Sequence, residues 1–412
     1  MTPFLRKILG MNWLLVLVMY GLLIFGVFMI ESASRHVSLS AASLGSYSSV
    51  GAYFASKQKL FILIGTVAYF GAAFIDYRWI RWLGIPIYGV SMGLMVLAMQ
   101  QGDSVYQLRL GSLSFQPAQL GITSGILLIS WLVQDLPKIH RWFAAPLIRI
   151  GTIGLLAVIP FLMVMKMGDM GSALVWIPVS IVALLIGGTP FRHLSCMALI
   201  GAGIIPLVYF VALPLVSKRG PERIDIWLRM MNGQEVDISG AAYAPHNVSM
   251  AIGKAGWKGT GYNATVEQGA LHAKGFIPRE TAHNDYIFAV IGEELGFRGS
   301  LLLLTAFSLL LIQGLFIAFY SRDVSGRLLT CLIVAVFFAH IFESIGMCVL
   351  IMPITGIPLP LVSYSGTFVV ICMFLLGMVQ SVWIHRHAVP EVAEKTAQCP
   401  QATLSAPQTL LS

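Results

Sequence analysis

Long apolar runs separated by short polar stretches dominate this sequence up to about residue 387. A helix needs roughly 20 apolar residues to cross a bilayer, because the hydrocarbon core is about 30 Å thick and each residue rises about 1.5 Å. Ten segments meet that requirement, beginning near Asn12, Lys59, Trp79, Phe115, Pro146, Asp169, His193, Phe297, Leu328 and Val362. Proline and glycine inside them are compatible with spanning helices, since neighbouring helices satisfy the freed backbone groups. No small-residue cleavage site follows the first segment, which reads as a retained helix rather than a signal peptide. The pattern predicts an all-α polytopic membrane protein of about ten transmembrane helices.

One interruption is far longer than the others. Residues from about 217 to 284 are polar, rich in glycine and aromatic residues, and carry two apolar patches, Ile224–Leu228 and Val248–Ile252. Loops of this length are uncommon unless functional or disordered. The patches suit short helices or a membrane-surface contact, so an ordered cap is expected. After Arg386 the chain turns polar without a periodic apolar face, and residues 388–412 are expected to be a disordered tail. Residues 1–387 then form a single membrane domain.

Composition and charge fit this picture. Hydrophobic residues make up 57% of the 412 and charged ones 11%, against about 25% charged in ordinary soluble domains. The net charge of +8 could suggest a nucleic-acid partner, but the basic residues sit between apolar runs, as membrane topology requires. One set of loops holds Arg6 and Lys7, Arg78 and Arg81, Lys138 and Arg141, Arg192, Arg322 and Arg327, and Arg386. The opposite set holds only Arg35, Lys57, Arg109 and Lys166 before the long loop, and nothing basic between Met352 and Leu361. The basic set marks the cytoplasmic side, which puts both termini in the cytoplasm and the long loop outside. The five cysteines show no metal or disulfide spacing.

Charges within or beside membrane segments are costly and so mark candidate functional sites. They are Asp169, Asp285, Glu293, Glu294 and Glu343. Asp285 stands where the long loop re-enters an apolar run, at His283-Asn284-Asp285, so it reads either as a helix cap or as a reactive group. On a continuous helix Ala289, Gly292 and Gly296 would share its face, a stripe that suits close helix packing or a slot for a lipid-linked substrate. Glu293 and Glu294 point elsewhere on that helix and make no close carboxylate pair with it, so a single base fits better than a paired acid and base. Three prolines between Pro353 and Pro360 forbid a regular helix there. That stretch reads as a turn or, with Ser363-Tyr-Ser-Gly366 at its end, as a cavity wall.

Several stretches together resemble one family. They are Ser32-Ala-Ser34, Lys57-Gln58, Phe115-Gln-Pro117, Gly168-Asp-Met-Gly-Ser-Ala-Leu174, Ala251-Ile-Gly253, His283-Asn-Asp-Tyr-Ile-Phe288, Gly292-Glu-Glu-Leu-Gly296 and Thr355-Gly-Ile-Pro-Leu-Pro-Leu-Val-Ser-Tyr364. The sequence is similar to the SEDS family of shape, elongation, division and sporulation proteins, represented by RodA and FtsW, and its Asn12-Trp-Leu-Leu opening looks more like RodA. The resemblance implies a peptidoglycan glycosyltransferase of the bacterial inner membrane. Such an enzyme polymerises lipid II with inversion at the sugar and works with a class B penicillin-binding protein. It places the essential aspartate on Asp285 as general base. The departing diphosphate then needs positive charge from arginine, lysine or a divalent cation such as Mg or Mn, for which no ligands are identified. Candidate substrate-binding residues are Lys57, Arg109, Gln116, Asp169, Arg223, Lys258, His283, Glu293 and Ser363.

The sequence also departs from the family pattern. Gln119 and Ile122 stand where a glutamate and a lysine are usual, an acid and a base exchanged together. Tyr106-Gln107 replaces an arginine-tryptophan pair, and Ser365 replaces a glycine. A lipid II flippase, or a scaffold that activates the penicillin-binding protein, are the alternative readings.

Overall fold

The computed structural model describes residues 3–38, 44, 47–100, 108–110, 113–207, 219–238 and 240–386. The tail beyond residue 386 and the Tyr106-Gln107 pair lie outside the described residues. Each of the ten apolar segments falls on a helix: α1 (Trp13–Ala33), α2 (Val50–Phe74), α3 (Gly84–Gln100), α4 (Pro117–Ile139), α5 (Pro146–Lys166), the broken pair α6 (Met170–Leu174) and α7 (Trp176–Ile186), and α8 (Phe191–Leu207). The long loop carries α9 (Arg219–Met231), α10 (Tyr243–Lys254) and α11 (Leu271–Lys274). The chain then closes with α12 (Ile287–Tyr320), α13 (Val324–Cys348) and α14 (Thr367–Ile384). Six of these are long and apolar enough to cross a membrane by length and composition. The only sheet among the described residues is a hairpin of β1 (Leu108–Leu110) and β2 (Leu113–Phe115), with Arg109 opposite Ser114.

Local chemistry sets the helix limits. Asn12, Ser49 and Asp323 cap α1, α2 and α13 with their side chains, so α2 starts nine residues before Lys59. The helix expected from Phe297 begins ten residues earlier, at Ile287. Gly296, at φ +67°, breaks it into two stretches, and apolar periodicity alone registers the second. The last helix begins at Thr367 rather than Val362, because the prolines and the left-handed Leu361 (φ +65°) hold the preceding backbone out of a helix.

The core sits where α1, α2, α12, α13 and α14 meet, around Leu15, Met19, Tyr69, Phe307, Leu332 and Met373. Helices approach closely through glycine. A Cβ at Gly26 would lie 2.7 Å from the Val362 carbonyl oxygen, and one at Gly377 would collide with the Tyr69 backbone. Large apolar side chains such as Leu17, Val67, Leu155, Leu162 and Leu302 face outward, which suits lipid as the surrounding solvent.

The two apolar patches of the long loop lie within α9 and α10. Ile224 packs towards Met95, Leu108 and Val164, while Val248 and Ala251 join the main core. The loop is therefore a packed layer at one end of the helices.

Candidate functional site

Asp285 lies in the turn that ends the long loop, two residues before α12. Its neighbours are pinned to the irregular segment before α14: the Tyr364 amide donates to the His283 carbonyl at 3.0 Å, and the Ser363 hydroxyl donates to the Asn284 carbonyl at 2.6 Å. Ser363 also accepts the Leu359 amide, and its carbonyl accepts from Gln58. Fully buried, Ser363 braces the Asp285 turn rather than facing a ligand. His283 is wedged between the rings of Phe54 and Tyr364, and burial pushes its pKa down to about 4, so it stays neutral.

The irregular segment forms one wall of the site. Gly356, at φ +73°, leaves room for the carboxylate: a Cβ there would lie 3.7 Å from Asp285 Oδ2. Gly171 packs against Ile357 and Thr355 on the other side of the same segment, which brings the start of α6 beside Asp285. Asp169 caps α6 by accepting the Ser172 amide at 3.0 Å, and Gln116 donates to its other oxygen. Gln119 donates to the Ser172 hydroxyl at 3.0 Å. The glutamine at an unusual position thus joins the bracket around Asp169, while Ile122 is buried in the core and needs no counter-charge.

Electrostatics tie the two carboxylates together. Burial, reinforced by the negative charge of Asp169, pushes the Asp285 pKa up to about 7, and Arg223 acts against that rise. Burial also raises Asp169, with the Ser172 and Gln116 hydrogen bonds and Arg223 opposing it. Arg223 on α9 is held by a 3.3 Å hydrogen bond to the Ile354 carbonyl, and Trp227 reaches the Leu350 carbonyl at 2.8 Å. Beside this cation a cleft opens, lined by Ile226, Ala241, Pro245 and Met352. Asp285, Asp169, Gln116 and Arg223 therefore form one site of two acids and one cation, poised between proton acceptance and anion binding.

Other expected site residues are placed elsewhere. Asp285 lies outside the helix, and the supposed stripe of small residues is filled. A Cβ at Gly292 would meet Ile252 at 3.2 Å, and Gly296 backs onto the Gly259 backbone. Those glycines serve close packing with the loop, and the slot reading is corrected. Glu293 is also corrected: it is buried and bonded to α11, accepting the His272 amide at 3.1 Å and meeting His272 Nδ1 at 2.7 Å. Lys258 is exposed beside Gly296, about 15 Å of helix from Asp285. Lys57 lies over the Tyr53 ring, one turn of α2 from Phe54. The side chain of Arg109 is outside the described residues. Gln119, Ser172, Gly356 and His272 were missed as participants, because each acts through a partner distant in sequence.

The family model described as a cell cycle protein, covering FtsW, RodA and SpoVE, matches residues 12–388. This chain belongs to the FtsW/RodA/SpoVE family. It is 30% identical over 280 residues to the peptidoglycan glycosyltransferase MrdB of Escherichia coli K12, covering 68% of this chain and 70% of that protein. Identity is 29% over 380 residues to the probable peptidoglycan glycosyltransferase FtsW of Trichlorobacter lovleyi, covering 89% and 92%. The fold is that of the rod shape determining protein RodA of Thermus thermophilus (TM-score 0.60, 23% identity, 92% and 98% covered). It also matches a chain from a peptidoglycan synthase complex that coordinates polymerization and crosslinking (TM-score 0.70, 22% identity, 92% and 99% covered). The FtsW/RodA/SpoVE member described here is a multi-pass membrane protein.

Proposed function

We propose that this chain is a peptidoglycan glycosyltransferase that extends glycan strands from lipid II, with Asp285 as its general base. The observation that carries the reading is a half-buried carboxylate under the influence of Asp169 and Arg223, with its pKa lifted by burial to about 7. A base poised near the working pH is the most effective kind.

In the proposed reaction the acceptor sugar's 4-hydroxyl gives its proton to Asp285. Its oxygen bonds to the donor's anomeric carbon from the face opposite the leaving group, and the C–O bond to undecaprenyl diphosphate breaks. Arg223 offers charge to the departing diphosphate, while Gln116 and Ser172 hold Asp169 in place. Among the described residues no three His, Cys, Asp or Glu groups gather at metal-binding spacing.

The remaining assignments rest on family membership and charge placement. The long loop and Asp285 face outward across the inner membrane, and both termini and the 388–412 tail are cytoplasmic. The membrane domain spans residues 1–387, and its partner is a class B penicillin-binding protein. Purified chain with that partner and lipid II should yield glycan polymer, and Asp285→Asn should not. Polymer made by the asparagine variant at an undiminished rate overturns the reading.

A further inference from the structure

Two other acids singled out by the sequence, Glu293 and Glu294, belong to a separate cluster that the proposed reaction does not use. His272 lies between them with its Nδ1 2.7 Å from Glu293 Oε2 and its Nε2 3.4 Å from Glu294 Oε1. Glu293 also accepts the Leu271 and His272 amides, first-turn donors of α11 that have no partner within the helix. Glu294 accepts the hydroxyl of Ser32 at the end of α1. His272, Glu293, Glu294 and Ser32 are each at most 3% exposed. The neighbouring loop is stitched to the same place, with Thr260 and Gly261 amides donating to the Glu293 and Glu294 carbonyls at 2.9 Å.

The ring ties α11 to two neighbouring acids of α12, with Nδ1 hydrogen-bonded to Glu293 and Nε2 facing Glu294. Other charged or titratable groups facing it are Glu31, Arg35 and His36 around the end of α1, and Tyr262 and Arg279 from the loop. The His36 ring centroid is 6.0 Å from that of His272.

Asp285 follows His272 by only thirteen positions. The near end of that stretch is fixed by the cluster, and the far end by Ser363 and Tyr364. We infer that His272 is a positioning residue for the site: through its hydrogen bond to Glu293 and its contact with Glu294, it clamps onto α12 the loop segment that ends in Asp285. The inference rests on Asp285 being the reacting carboxylate.

The test compares the full chain with its His272→Ala, His272→Gln and Glu293→Gln variants in detergent with the penicillin-binding partner. Amide hydrogen exchange over residues 271–286 needs no turnover, so it tests the clamp even if the chain makes no polymer. His272→Ala should speed exchange there about tenfold, the loss of one charged hydrogen bond, with His272→Gln restoring part of the protection. With lipid II, kcat should fall about tenfold while KM stays within about twofold. Unaltered exchange in His272→Ala overturns the clamp. A higher KM at unchanged kcat overturns positioning, because it would make His272 a substrate contact.

Discussion

Asp285 is held in a state that favours its neutral form, and this has consequences in both folding and reaction. Its pKa near 7 is above the value of about 4 for an unfolded aspartate. The associated stability is present in full below about pH 4 and is lost as pH rises through about 7, because charging the buried acid then opposes folding. Asp285→Asn should therefore melt higher than the wild type at pH 8, with the gap closing towards pH 4. Activity runs the opposite way. If Asp285 is the base proposed above it must be ionised, so kcat/KM should rise with pH to a plateau above about 7, and Asp285→Asn should lose about a hundredfold or more. Asp169→Asn removes the like charge that helps raise Asp285, and should shift the midpoint of that rise towards acid. A midpoint that does not move in lipid II titrations across pH would mean that Asp169 acts only as the α6 cap.

At the scale of elements, α12 shows how far hydrophobic pattern can be trusted. Its second half is legible as an apolar span from Phe297, and its first half only as a short helix entered after Asp285, because Gly292, Glu293 and Glu294 interrupt the apolar run. A helix forms there because α10 and α11 supply what the sequence lacks: Ile252 beside Gly292 and His272 between the acids. The break at Gly296 is equally non-local, since the Lys258–Gly259 backbone occupies the space a side chain would need. Gly296→Ala should cost about 1–3 kcal/mol from the left-handed backbone alone, with more from the collision. Thermal melts in detergent should show it as the less stable protein, whereas Gly253→Ala, where a Cβ meets open space, should change little. Equal melting of the two variants would contradict the close approach. The same reasoning explains the site. Asp285 and Asp169 are visible as costly charges, but they stand 116 positions apart, and only the packing of Gly171 against the proline-rich segment, whose Gly356 leaves room for the Asp285 carboxylate, brings them together.

For the whole molecule, the arrangement of charge makes a claim about sidedness that can be tested directly. The cap formed by α9–α11 packs over the end of the bundle that holds Asp285, and the loop between α4 and α5, with Lys138 and Arg141, belongs to the basic set. In the proposed orientation, which follows the positive-inside rule, that basic loop is cytoplasmic, and parity along the spans then puts the cap outside. A glycan polymerase needs this orientation, because its product grows outside the membrane and its acceptor hydroxyl must meet Asp285 there. Thr265 and Lys138 are both exposed, one in the cap and one in the basic loop. In a background with the native cysteines replaced, Thr265→Cys should react with a membrane-impermeant maleimide in spheroplasts. Lys138→Cys should react only after the membrane is permeabilised. The reverse pattern would turn the molecule over and place the carboxylate on the side where no glycan is built, taking the polymerase reading with it.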